Sequence, residues 1–409
     1  MLRNLTISGF KSIKRQSIDL GRVNLFIGQN GAGKSNILEA IGMLSAAISG
    51  GISYPILGAK GVRSSAPSVY RSALKGGRPK YFDLSAKFDS LKYHCNVYSN
   101  DNSSAGAWNF HSESFARIVG KGEKEKIFAG RSAKGIKIDG VSQHRKIIGS
   151  GQSIGMALEI FDVLSREESS NIKDLSDYAI YSPFTSILRG VASDHSLATP
   201  LGLYGGNLPT AINEVLTQEN RDELVHFFQF FPWFRKFGVS RPDPNLTDKQ
   251  MPPGTLALRF TDRYMARDFS DLYSSDVSEG ALYGAFILTL MLHEKSPRIF
   301  ALDNVDSTLN PGLVRRLVKT IGMLAHEYDK QVILTTHNPT ALDALDLFDD
   351  EHRLYVVDRN PETGETEANR LHPPADMTRE EWAEQTGNAK LSDLWLDGFL
   401  GGLPPAEDF

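Results

Sequence analysis

Gly28-Gln29-Asn30-Gly31-Ala32-Gly33-Lys34-Ser35 decides the reading of this chain. It fits the phosphate-loop pattern G-x-x-x-x-G-K-[ST] at every fixed position. Val23-Asn24-Leu25-Phe26-Ile27 before it is a short apolar run that reads as a buried strand. After it, Ile37, Leu38, Ile41 and Leu44 recur at helical spacing. Strand, glycine loop and helix make a cradle for phosphates. Glycines let backbone N–H groups turn inward, and the helix N-terminus adds its positive end. Asn30, Gly31, Gly33, Lys34, Ser35 and Asn36 are the residues expected around a triphosphate. Lys34 would reach the β- and γ-phosphates, and the Ser35 hydroxyl would ligate Mg²⁺.

A second half of such a site lies far downstream. Ile299-Phe300-Ala301-Leu302-Asp303 is an apolar strand ending in an acid, and Asp303 is placed to hold Mg²⁺. Gln331–Thr336 is another buried strand, and it ends at His337, which could sense a γ-phosphate. Val277-Ser278-Glu279-Gly280 opens a long helix, and a serine there is a ready anion site with Glu279 as capping partner. Asn310 caps the helix Pro311–His326.

Between these blocks, residues 2–8 and 16–20 read as strands flanking Gly9-Phe10-Lys11-Ser12. A hairpin-rich β region runs from Tyr81 to about Ile148, after a loop rich in Gly, Ser and Pro. Residues 154–164 and 207–238 read as helical, and the aromatic cluster from Phe227 to Phe237 reads as core. Leu256–Phe260 and Ala266–Leu272 read as strands or strand edges. Leu354–Val357 and Glu367–Leu371 pair as a hairpin, and Lys390–Leu400 closes the chain as a helix.

The 409 residues are long enough for two or three domain-sized units, or one large domain with insertions. The expected division is residues 1–150 for an ATPase lobe with the β region and 151–255 for a helical or irregular insertion. A second lobe would take 256–372 and a tail helix 373–409. One cysteine, Cys95, excludes an intrachain disulfide scaffold and points to a reducing cytoplasm. No apolar run reaches a membrane span, and the N-terminus lacks a signal peptide's apolar core. The net charge of −4 hides an asymmetry. Residues 60–146 hold 17 Lys/Arg against 7 Asp/Glu, and residues 341–409 hold 5 against 17. The first stretch could track nucleic-acid phosphates, through Arg63, Arg71, Lys75, Arg78, Lys80 and the residues 121–137.

Taken in order, Gly28–Ser35, Ser278-Glu279-Gly280, Leu302–Asn310 and Thr335-Thr336-His337 resemble the ABC-type ATPase head of RecF and SMC proteins. Leu5–Ser12 and Lys390–Trp395 look like the AAA/ABC-like ATPases of bacterial defence loci. The resemblance implies an α/β ABC head: a P-loop mixed β core with helices, an antiparallel β subdomain, and a helical subdomain carrying the signature motif. It implies ATP and Mg²⁺ as cofactors, and two heads sandwiching ATP. Ser278 and Gly280 would then touch the γ-phosphate bound by a second copy, in a homodimer or higher even oligomer. His337 falls on the switch histidine, and Asn310 falls where the family has Asp. Gln152 and Tyr181–Phe184 both stand as candidates for the glutamine loop.

The family places Glu directly after the metal-binding Asp. Here that residue is Asn304, with Asp306 two positions on as a possible substitute. An amide is no base at neutral pH, so slow hydrolysis is expected. Two functions follow. One is an ATP-gated switch or scaffold for a separate effector, in anti-phage defence. The other is a RecF-like DNA-binding repair ATPase.

Overall fold

The computed structural model describes residues 1–401 except 76, 100–107, 121–123, 144–147, 197, 219–220 and 244–255. Two compact units emerge. The first is Met1–Ile180 with Pro297–Val305 and Gln331–Phe409, and the second is Tyr181–Ser296 with Asp306–Lys330.

The first unit holds two sheets. In the six-stranded one the order is Ile180–Tyr181, Ile299–Leu302, Gln331–Thr336, Val23–Ile27, His352–Arg359 and Thr366–Leu371. The four strands from Ile299–Leu302 to His352–Arg359 run parallel, and the last pairs antiparallel as the expected hairpin. Val23–Ile27, Ile299–Leu302 and Gln331–Thr336 are buried at every residue, as strands covered on both faces must be. The helix Lys34–Ile48 is buried along nearly its whole length.

The other sheet has eight antiparallel strands. Leu91–Ser99 alternates buried and half-buried throughout, which is the signature of one covered face and one open face. The glycine-rich loop contains structure that composition did not show: the helix Tyr54–Ala59 and a 3₁₀ turn Pro67–Tyr70. The helical stretch expected over 154–164 is shorter, Gly155–Ile160, and a second helix, Arg166–Asp177, starts at a full capping box on Ser165 and Glu168.

Inside this unit lies a buried carboxylate. Glu113 accepts hydrogen bonds from the Tyr93 hydroxyl at 3.0 Å, the Ser153 hydroxyl at 2.5 Å and the Ile154 amide at 2.9 Å. It thereby ties the segment after the sheet back onto its middle. Burial raises its pKa above the ordinary carboxylate range, against the pull of those donors.

The second unit is built on the helix Glu279–Leu292, whose residues 281–292 are all buried. A helix apolar on every side needs cover on every side. Cover comes from Leu208–Leu216, Arg221–Phe228 and Pro311–Glu327, with Phe227 packed so close to Gly284 that no Cβ would fit between them. The single helical run expected over 207–238 is broken. Phe234–Ser240 is a strand, paired with Ala257–Asp262 and then Asp271–Tyr273. Phe228, Phe234, Phe237 and Phe260 gather there with ring centroids between 4.8 and 5.4 Å apart where they touch, so the aromatic cluster is core. Over 266–272 the expected strand shrinks to Asp271–Tyr273 behind a 3₁₀ turn. The expected C-terminal helix spans only Leu391–Leu396. Among the described residues no helix is long and apolar enough to cross a membrane.

Glu113 sets a pH test. Its folded pKa lies above the unfolded one, so the unfolded state loses its proton first as pH rises. Its contribution is fully present below the ordinary carboxylate pKa and declines until pH passes the raised value. Urea midpoints across that window should fall with pH in the wild type, and Glu113→Gln should flatten this part of the profile.

Candidate nucleotide site

In the phosphate loop Gly31 and Gly33 have φ of 80° and 110°, left-handed values that cost an L side chain energy. At Gly33 a Cβ would also overlap the Thr366 side chain. Thr366 Oγ1 donates to Ala32 O at 2.8 Å and accepts from Ser12 Oγ at 2.6 Å. The loop is therefore walled by the hairpin at residue 366 and by the first β-turn.

Lys34 is 5% exposed. Its Nζ donates to Gly28 O at 2.7 Å and Gln29 O at 3.0 Å, and lies 3.3 Å from His337 Nδ1. Ser35 Oγ donates to Asp303 Oδ2 at 3.0 Å. Thr335 Oγ1 donates to Asp303 Oδ1 at 2.6 Å and accepts from the Asn304 amide at 2.8 Å. Residues 34, 35, 303 and 337 thus meet at the carboxyl ends of adjacent parallel strands, where ligands of such sheets bind. The donor set suits magnesium: one hydroxyl and one carboxylate, both oxygen, leaving room for phosphate oxygens and water. No cluster of three or more His, Cys, Asp or Glu occurs among the described residues, so no all-protein metal cage competes.

Asn30 and Gly31 lie exposed on the loop's outer side. Asn36 is engaged at both ends of its amide: Nδ2 donates to Ser12 Oγ at 2.7 Å, and Oδ1 accepts from Arg63 at 3.0 Å. Arg63 also pairs with the buried Glu39, which Lys11 contacts too. Asn304 has φ of 56° with an exposed side chain. Left-handed backbone favours Asn over Glu, so the local turn itself selects against the family's residue. Gln152 uses its side chain on the Gly149 amide at 3.0 Å, inside its own turn.

Ser278, Glu279, Gly280, Asp306 and Asn310 belong to the second unit. There a Cβ on Gly280 would sit 3.2 Å from Leu309 and 3.4 Å from Leu313, so the Ser278–Gly280 turn packs beside the Asn310 turn. Ser278 is exposed and its hydroxyl does not cap its own helix. Asn310 does cap its helix, accepting from the Leu313 amide at 3.0 Å. The sequence reading assigned no site role to Thr335, Ser12, Thr366 or Glu39, although Thr335 and Ser12 fall within its motifs. Buried hydroxyls at a strand end, as in Thr335-Thr336, need partners and were the available signal.

A P-loop entering a helix, an acidic strand end and a histidine strand end lie on one mixed sheet, the arrangement of an ABC-ATPase head fold. Residues 1–126 match a family model described as "AAA ATPase domain". Residues 164–343 match one described as "AAA domain, putative AbiEii toxin, Type IV TA system". Among solved structures, the Smc head bound to the C-winged helix domain of ScpA is similar, with TM-score 0.50 and 16% identity over 91% of this chain and 97% of that one. The SMC head domain from Thermotoga maritima follows, at 15% identity and TM-score 0.42 over 91% and 99% of the two chains. An Smc head with an extended coiled coil, bound to the C-terminal domain of ScpA derived from Pyrococcus furiosus, gives 16% and 0.43 over 95% and 98%. No curated protein matches the chain. The first of these structures shows the head fold, and the two models support an ATPase domain.

Thr335→Val keeps the shape and removes the hydroxyl between Asp303 and the Asn304 amide. Loss of a hydrogen bond to a charged group, about 1.5–3 kcal/mol, predicts a roughly tenfold or greater drop in Mg²⁺-dependent ATP affinity. Titration calorimetry with Mg²⁺ and with EDTA should show the loss only in the first.

Proposed function

We propose that the chain is a slow ATPase whose ATP-bound form is a homodimer acting as a switch for a separate effector. The observation that carries this reading is Asn304. It stands beside Asp303 where a general base is expected, on backbone that suits Asn. Loss of a general base typically costs 10²–10⁴-fold in rate. In this reading Lys34, Ser35 and Asp303 hold ATP and Mg²⁺, and His337 reads the γ-phosphate. Ser278, Glu279 and Gly280 complete the pocket of a second copy. The exposed, uncapped Ser278 hydroxyl supports that assignment. Anti-phage defence is the proposed setting, supported by the toxin–antitoxin description of the model over residues 164–343. The Smc head's bound partner, a ScpA domain, supports a partner protein for this chain as well.

A RecF-like DNA-binding role is the second reading, favoured by the excess of Lys and Arg over residues 60–146. Arg63 in that stretch already pairs with Glu39, which weakens this reading at one of its residues.

Mass measurement with ATP and Mg²⁺ should show a dimer that ADP does not support, and single-turnover assays should show slow decay. Asn304→Asp restores a carboxylate and tolerates the left-handed turn, whereas Asn304→Glu meets about 1–2 kcal/mol of backbone strain. Asn304→Asp should therefore raise turnover about tenfold or more. A fast wild type that neither change accelerates would refute slow hydrolysis.

A further inference from the structure

The second unit has a feature that nucleotide chemistry does not use. Helices Arg221–Phe228 and Pro311–Glu327 border a cavity of about 510 Å³. Phe227, Phe230 and Met323 line it, and Met323 is 64% exposed. Arg315, Arg316 and Lys319 line the same cavity and are all exposed. Arg315 and Lys319 are one turn apart and share a helix face. The Arg316 guanidinium lies over the Phe230 ring, a cation–π arrangement. Among the described residues, none of these three cations makes an ion pair. Glu223 is the one carboxylate in the lining.

An ordinary solvated helix face mixes both signs of charge. From residue 311 to 323 this helix carries three cations and no acid. Its other face is committed to the core through Val314, Leu317, Val318 and Ile321. An apolar hollow rimmed by unpaired Arg and Lys is the recognition chemistry for carboxylates attached to an apolar group. Arg and aromatic residues are enriched where interfaces hold their energy, and an exposed Met adapts to varied side chains. A nucleic-acid backbone fits less well. The cations cluster within about 6 Å of helix rise instead of forming a track along a backbone.

We propose that this groove docks an acidic peptide segment with one aromatic or aliphatic anchor. The anchor enters beside Phe230 and Met323, and flanking carboxylates meet Arg315 and Lys319. The groove stands on its own residues, while its assignment to the effector rests on the switch reading above.

The probes are short fluorescent Asp/Glu peptides with Phe, Leu or Lys at the centre, and a single-stranded thymidine oligonucleotide, each titrated onto the full chain. Saturable binding is expected for the Phe or Leu peptides, about fivefold or more tighter than for Lys. The paired change Arg315→Glu with Lys319→Glu should weaken it about tenfold or more. Circular dichroism and ATP binding should stay unchanged. Should the pair misfold, Arg315→Gln alone must still weaken the peptide. No saturable peptide binding, binding indifferent to the charge changes, or an oligonucleotide that binds where peptides do not would each overturn the proposal. The ATP-dependent mass is measured on the same samples. A failed dimer with intact peptide binding would remove the switch reading and leave the groove, and the reverse result would do the opposite.

Discussion

Asp303 holds the first unit's site together by accepting from two hydroxyls at once. Thr335, at the end of the neighbouring strand, donates at 2.6 Å, and Ser35, at the start of the helix beyond the next strand, donates at 3.0 Å. Those strands pair in parallel with Leu302 opposite Leu334 and Thr336 opposite Ile27. Parallel register alone brings residues 35, 303 and 335 to one edge. A slip of one residue would turn each side chain to the other face. The loop, Ser35, Asp303 and His337 all depend on that alignment.

Much of this was legible because buried parallel strands are short, uniformly apolar and end in the residues that do chemistry. Ile299–Asp303 and Gln331–His337 are such strands, and the structure places them as read. Boundaries failed where local and tertiary preferences differ. Phe234–Phe237 follows two helices with no break in hydrophobicity, yet cross-strand pairing with Phe260 pulls it into a sheet. The helix Tyr54–Ala59 hid in a loop rich in glycine because six residues are too few to show a period. The partners of Asp303 were illegible for another reason. Thr335 lies 32 residues away along the chain, and sequence carries no record of which hydroxyl faces which carboxylate.

Charge was the least readable property. The acidic run after residue 341 looks like solvated surface, but Asp343 accepts from the Ser392 amide and hydroxyl at 3.0 Å each, anchoring the last helix. Asp346 takes both arms of Arg379 at 2.8 and 2.7 Å. Arg63, counted toward a basic face, is bound to Glu39. Counts along a chain give a field only after such local pairs are removed. The cations of residues 315–319 emerge as notable by that subtraction, since no ion pair among the described residues removes them.

The wall that Thr366 builds behind Gly33 has a temporal side. The hydroxyl that closes the phosphate loop lies 334 residues further along the chain than the carbonyl it meets, so a ribosome makes it long after the loop. Until then Ala32 lacks its tertiary donor and the space beside Gly33 stays open. The nascent loop therefore lacks this contact while the intervening residues are made.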